Sequence, residues 1–341
     1  MKRLLLSISF LSFAVLIGCS NHTGQTEEDK EKVVEQEEKQ ENIVLAPFTG
    51  LPAKGGIEKR PFAVMINNHP KARPQSGLHK ADIVYEVLAE GNITRFLAIY
   101  QSEQPDIIGP VRSARDYYID LSKGYKALYV SHGWSPSAKE KLESGEADYL
   151  NGLFHDGTLF WRDKERKAPH NSYISYQNIE KGAKRKGYQM TDNVAPLTFL
   201  AEDDMDKIDG DTMPEFVVKY GHNENWTVQY VYDTELERYK RYSDGELTID
   251  RETEEPILLD NIFVVEMEHQ IIDNYGRRSV DIHSGGKGYL FQHGKMLEVN
   301  WENESGRILP YKDGQIIPFV PGHTWINIVP DLHQALFISK I

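Results

Sequence analysis

The chain has 341 residues, 40% of them hydrophobic and 11% aromatic, enough apolar material for real cores and for two domains of ordinary size. A net charge of −13 argues against general nucleic-acid binding, which depends on neutralising phosphates. The single cysteine, Cys19, excludes intramolecular disulfides, cysteine-rich metal sites and a cysteine nucleophile elsewhere in the chain.

Lys2 and Arg3 precede an uncharged apolar run from Leu4 to Ile17. That run is short of the roughly 20 residues a spanning helix needs, so it reads as a signal peptide. It ends in Leu16-Ile17-Gly18-Cys19, which resembles a bacterial lipobox. The resemblance implies removal of residues 1–18, acylation of Cys19, and a lipid-anchored place on the extracytoplasmic face of the cell membrane. Two or more acyl chains anchor stably where one binds only marginally. Residues 19–45 follow as a tether, with eight acidic side chains against three lysines and too few apolar residues to fold. Setting aside the signal (+2) and the tether (−5) leaves −10 on the rest.

From residue 46 to about 204 the pattern is α/β with a mixed sheet. Phe62 to Ile66 is an unbroken apolar run and reads as a buried strand. The stretch Ile83 to Glu90 and the stretch Ile93 to Gln101 flank Gly91-Asn92, a favoured hairpin turn. A two-residue turn would set Leu88 opposite Arg95 and Glu86 opposite Leu97, placing Glu86, Glu90 and Arg95 on one face. Such a cluster is either a satisfied ion-pair group or the wall of a binding cleft. Next, Ser113-Ala114-Arg115-Asp116 has the Ser-x-x-Asp capping pattern and predicts a helix starting at Ser113. Arg112 and Arg115 then flank a helix N-terminus, arranged either for capping and ion pairing or for holding an anion. Lys126 to Ser131 reads as a further strand, with His132 and Ser135 where it hands over to a helix. Ser175 caps a basic helix through about Lys186.

Beyond an acidic connection at 203–211, residues 205–341 read as a β-rich antiparallel domain. Expected strands include Glu215 to Tyr220, Thr227 to Tyr232, Ile262 to Met267, Gly288 to Phe291 and Met296 to Trp301, with Trp325 to Val329 closing a meander. The fold class is thus α+β.

Arg60-Pro61-Phe62-Ala63-Val64-Met65-Ile66-Asn67-Asn68, Ala81-Asp82-Ile83-Val84-Tyr85-Glu86 and Gly109-Pro110-Val111-Arg112-Ser113-Ala114-Arg115, with Pro321-Gly322-His323-Thr324-Trp325-Ile326 near the C-terminus, resemble the YerB-like lipoproteins of Gram-positive bacteria. The likeness covers nearly all of the folded chain. It implies export and a two-domain body, and brings no established reaction with it.

No zinc-type histidine spacing, phosphate loop, dinucleotide fingerprint or nucleophile elbow is present, so neither metal nor cofactor is expected. His69, His132 and His170 lie in loops and read first as hydrogen-bonded structural residues. The functional expectation is a lipid-anchored binding protein. Its polar cleft would be lined by Arg73, Glu86, Arg95, Arg112, Arg115 and His132, with an anionic envelope ligand or an envelope protein as partner. The alternatives are an envelope enzyme using Glu86, Glu90 or Asp116 as base, and a purely structural interaction module.

Overall fold

The computed structural model describes residues 43–53, 55, 57–220 and 226–338. The expected signal peptide, Cys19 and the tether as far as residue 42 lie outside the described residues. Residues 43–341 form one compact unit.

Its centre is a twelve-stranded mixed sheet. The first segment supplies β1 (Phe62–Asn67), β2 (Ile83–Glu90), β3 (Ile93–Tyr100), β4 (Leu128–Ser131) and β5 (Tyr149–Asn151). β1 is buried along its whole length, as an unbroken apolar run between two covered faces should be. β3 runs antiparallel to β1 and β2, while β4 and β5 continue parallel to β1.

The second segment is split between this sheet and a smaller one of its own. Strand Thr324–Val329, expected to close a meander, pairs in parallel with β2 on one side and with strand Asn261–Glu266 on the other. Strands from residues 261–316 extend the same sheet outward in antiparallel order. A local hydrophobic pattern cannot distinguish these partners, because a fully buried strand looks the same in either setting. Strands Glu215–Lys219, Thr227–Asp233 and Arg238–Ser243 belong to a smaller six-stranded sheet.

The large sheet is covered on both faces. Helix α1 (Asp116–Lys123) and helix α2 (Pro136–Glu143) contribute Tyr118, Leu121, Ala138 and Leu142 to the core that holds Ile83, Tyr85 and Leu97. On the opposite face, α4 (Tyr176–Lys186) and the six-stranded sheet bring Ile179, Phe216 and Tyr230 against Val64, Val84 and Phe96. The short α3 (Gly152–His155) follows β5. Ser135 and Ser175 cap α2 and α4 by accepting from Ala138 N and Asn178 N at 3.2 and 3.1 Å.

Two local expectations are corrected. The β2–β3 hairpin is bulged between Leu88 and Glu90, so Arg95 lies opposite Val87 and Glu86 opposite Phe96. One extra residue moves Glu86 and Arg95 to opposite faces of the sheet. Helix α1 begins at Asp116, not Ser113: Arg115 is the extended cap residue, and the Ser113 hydroxyl donates to the His132 carbonyl.

Candidate functional site

β1, β2, β4 and β5 run in one direction, so their C-terminal ends share an edge of the sheet, the usual place for ligands in open α/β sheets. There β1 and β4 part, and the segment Val111 to Ala114 slots between them. Arg112 N donates to Met65 O at 2.8 Å, His132 N to Arg112 O at 2.9 Å, and Ala114 N to Gly133 O at 2.9 Å. Close packing demands glycine at two points. A Cβ on Gly133, at φ +94°, would meet Ser113 Oγ at 2.7 Å, and one on Gly152 would meet the His132 ring at 2.2 Å.

Arg112 is half-buried and has no side-chain hydrogen bond or ion pair among the described residues. Burial, with the Arg95 charge adding to it, pulls its guanidinium down to about 10. An unpaired cation in such a place needs a counterpart.

His69 and His170 stand close by, their rings stacked at 4.5 Å between centroids. His69 Nδ1 accepts from Lys71 N at 3.1 Å, and His170 Nδ1 accepts from the Asn67 side-chain amide at 2.8 Å. With both Nδ1 atoms acting as acceptors, each neutral ring carries its proton on Nε2 and presents a donor. Both imidazoles are held below their ordinary value, first by burial and then by neighbouring cations that include Lys71 and Arg112. Donors surrounded by positive charge suit an anion and repel a metal ion. Among the described residues no set of three metal-ligating side chains comes together.

His132 plays a different part. Its Nε2 lies 2.8 Å from Arg162 Nη2, which can only donate, so Nδ1 carries the proton and donates to Ser172 Oγ at 2.7 Å. This tautomer is the wrong one for drawing a proton from Ser172. Burial first, then the Arg162 charge, keeps the ring neutral by lowering its pKa to about 4.

The other four residues expected in the cleft have partners of their own. Glu86 is fully buried on the opposite face and meets Arg241 at 2.8 Å. Its remaining lone pairs accept from Thr94, Asn68 and Trp325 Nε1 at 2.9 to 3.1 Å. Glu86 therefore does not orient Arg95. Arg95 Nη2 alone reaches both oxygens of Glu90, at 2.8 and 2.7 Å, and Nη1 donates to Ser113 O. Arg115 is buried against the same Glu90 carboxylate and donates to Ala114 O. Arg73 reaches Asp244 at 2.5 Å and Asn68 Oδ1 at 3.0 Å, forming part of a separate cavity of about 360 Å³ with Pro70, Gln75 and Thr248. The structure thus brings Arg112 and His132 together with His69 and His170, which sequence reasoning had assigned to scaffold. The only early signal was that all three histidines follow apolar strands or sit in donor-rich loops.

An α/β body with a mixed central sheet, a β-rich second half and a donor-lined edge defines the class. The chain belongs to the family described as a protein of unknown function, DUF3048, whose N-terminal domain matches residues 48–189 and whose C-terminal domain matches residues 216–326. It is 56% identical over 298 residues to the Bacillus subtilis (strain 168) protein named "Putative lipoprotein YerB", covering 86% of this chain and 88% of that one. The crystal structure of YerB from Bacillus subtilis superposes with a TM-score of 0.82 at 54% identity, covering 87% of this chain and all of that chain.

Proposed function

We propose that this protein is a lipid-anchored component of the cell envelope, on its extracytoplasmic face, that binds an anionic group at the strand edge between Arg112, His69 and His170. The observation that carries this reading is the half-buried Arg112 guanidinium, unpaired among the described residues and near enough to His69 and His170 for its charge to depress both. Phosphate or carboxylate oxygens would accept from the guanidinium fork and from two Nε2–H groups at once. Glu86 and Glu90, two of the three carboxylates that the sequence offers as a base beside Asp116, are committed to arginines, which favours binding over turnover. The lipoprotein name of the Bacillus subtilis relative and the lipobox-like Leu16 to Cys19 support the anchor. No helix among the described residues is long and apolar enough to cross a membrane.

Thermal unfolding of residues 43–341 with phosphate, pyrophosphate and glycerol phosphate tests the reading. A ligand at one hundred times its Kd stabilises by about 2.7 kcal/mol. The expected result is a rise in Tm that Arg112→Ala abolishes. No rise with any anion, or a rise that survives the substitution, would reject it.

A further inference from the structure

The same edge of the sheet carries two apolar projections. Strand Asn261–Glu266, strand Thr324–Val329, β2, β1, β4 and β5 all point one way, so the turns after them emerge together. After β5, α3 lifts Leu153 and Phe154 into solvent at 55% and 60% exposure. After strand Asn261–Glu266 comes the two-stranded ribbon of His269–Ile271 and Arg278–Val280, whose tip exposes Ile271, Ile272 and Tyr275 at 64%, 51% and 78%. The ribbon is fixed to the β2–β3 turn, Arg278 Nη2 donating to Gly91 O at 2.7 Å and Gly91 N to Gly276 O at 3.3 Å. From β2 to β5 is four strand spacings, roughly 19 Å.

Each projection is flanked by cations. Arg185 and Lys186, at the exposed end of α4, lower the pKa of His155, after burial, and have no acidic partner among the described residues. Lys186 Nζ sits 4.7 Å from the Tyr149 ring. At the second projection Arg277 lies over the Tyr275 ring at 4.9 Å and pairs with Asp273 at 2.9 Å, while the Arg278 guanidinium has no carboxylate partner among the described residues. In a chain of net charge −13, three cations without an acidic partner among the described residues, Arg185, Lys186 and Arg278, beside exposed aliphatic and aromatic tips are out of keeping with the average surface. Apolar tips that sink into the acyl boundary, ringed by lysine and arginine, are the chemistry of a peripheral contact with anionic lipid.

We infer that this edge docks on the surface of an anionic phospholipid bilayer through Leu153 and Phe154 on one side and Ile271, Ile272 and Tyr275 on the other. The inference is independent of the anion reading, since none of these side chains belongs to the Arg112 site. The described chain enters the unit at the far edge, where Thr49 O accepts from Gly322 N and Ile57 O from Gln101 Nε2. The residues between Cys19 and Ile43 can span at most about 80 Å, ample for either edge of the unit to meet a bilayer that holds Cys19.

The test is vesicle flotation of residues 43–341, which lack the anchor and contain every described strand pairing and both apolar cores. Flotation is expected with vesicles of phosphatidylglycerol mixed with phosphatidylcholine, and not with phosphatidylcholine alone. Leu153→Ser/Phe154→Ser and Ile271→Ser/Ile272→Ser/Tyr275→Ser should each weaken it while a cooperative thermal transition is kept, because the side chains are largely exposed. Arg185→Glu/Lys186→Glu should weaken it by at least about tenfold. Arg112→Ala and an excess of soluble glycerol phosphate should leave it unchanged. No association with anionic vesicles at low salt, association indifferent to both serine variants, or competition by glycerol phosphate would overturn the inference.

Discussion

Glu86 on β2 and Arg241 on the strand Arg238–Ser243 meet at 2.8 Å with neither side chain exposed, although 155 residues separate them. Burial, the largest influence, pulls the Arg241 guanidinium down, but the Glu86 charge and hydrogen bond together with Tyr230 and Tyr220 leave the group above its ordinary value. Arg241 also donates to Ser243 and Thr248 and lies over the Trp325 ring at 4.5 Å. The pair therefore clamps the small sheet onto the large one. Removing one partner of such a pair leaves a buried charge, at a cost of about 3–5 kcal/mol. Glu86→Gln and Arg241→Met should each cost that much in urea unfolding, and the double variant should cost clearly less than their sum. Additive losses would show that the two groups do not interact.

Glu90 should behave as a second clamp. Its carboxylate is shared by Arg95 and Arg115, so Glu90→Gln leaves two buried guanidinium groups facing each other and should cost about 3 kcal/mol or more. Arg112→Ala should contrast sharply, changing stability by less than about 1 kcal/mol or raising it, since it removes a cation without a partner. Denaturant midpoints of the two variants check the difference.

Stability should fall on mild acidification, with a sign set by His132. Its folded pKa is about 4 against an ordinary 6.5, so between those values the unfolded chain binds more protons than the folded one. The contribution is whole above pH 6.5, shrinks as pH drops towards 4, and changes no further below that. His269, also held down to about 4 by burial, acts in the same window. A pH series of Tm values should show a shallower slope for His132→Asn than for the wild type; an unchanged slope would place the ring in a more solvated setting.

Anion affinity should rise as pH falls below neutrality. A bound phosphate offsets the cations that help depress His69 and His170, so binding takes up protons. Calorimetric titration at two pH values, in buffers of different ionisation enthalpy, measures that uptake. Release of protons, or none exchanged, would place the anion elsewhere.

Neither half of the sequence should fold alone. β2 has Thr324–Val329 as its neighbour in the sheet, and Trp325 is buried against Phe96 at 4.9 Å between centroids. Expressed separately, residues 43–204 and 205–341 should each lack a cooperative thermal transition. A sharp transition in either fragment would show that the shared sheet is dispensable.

Much of the architecture was legible from local pattern. β1, the β2–β3 hairpin, the Ser175 cap and most strands of the second segment follow from apolar runs, Gly-Asn and Ser-x-x-Asn placements that act over a few residues. What the pattern could not carry was pairing across distance. A one-residue bulge near Ala89 reversed the relation of Glu86 to Arg95, and no periodicity marks Arg241 as the partner of Glu86. The site followed the same rule. Arg112 stands out beside an expected helix start and His132 at a strand end, but the His69–His170 stack joins loops 101 residues apart and becomes visible only in three dimensions.

The position of strand Thr324–Val329 has a consequence in time. Chains are made from the N-terminus, and β2 cannot gain its neighbour until about 240 residues later, roughly ten to fifty seconds at ordinary synthesis rates. Through that interval β2 keeps a row of unpaired backbone groups and an apolar flank, the features that invite wrong strand pairing. The vulnerability of the unfinished chain ends only when one of its last strands slides into the middle of the sheet.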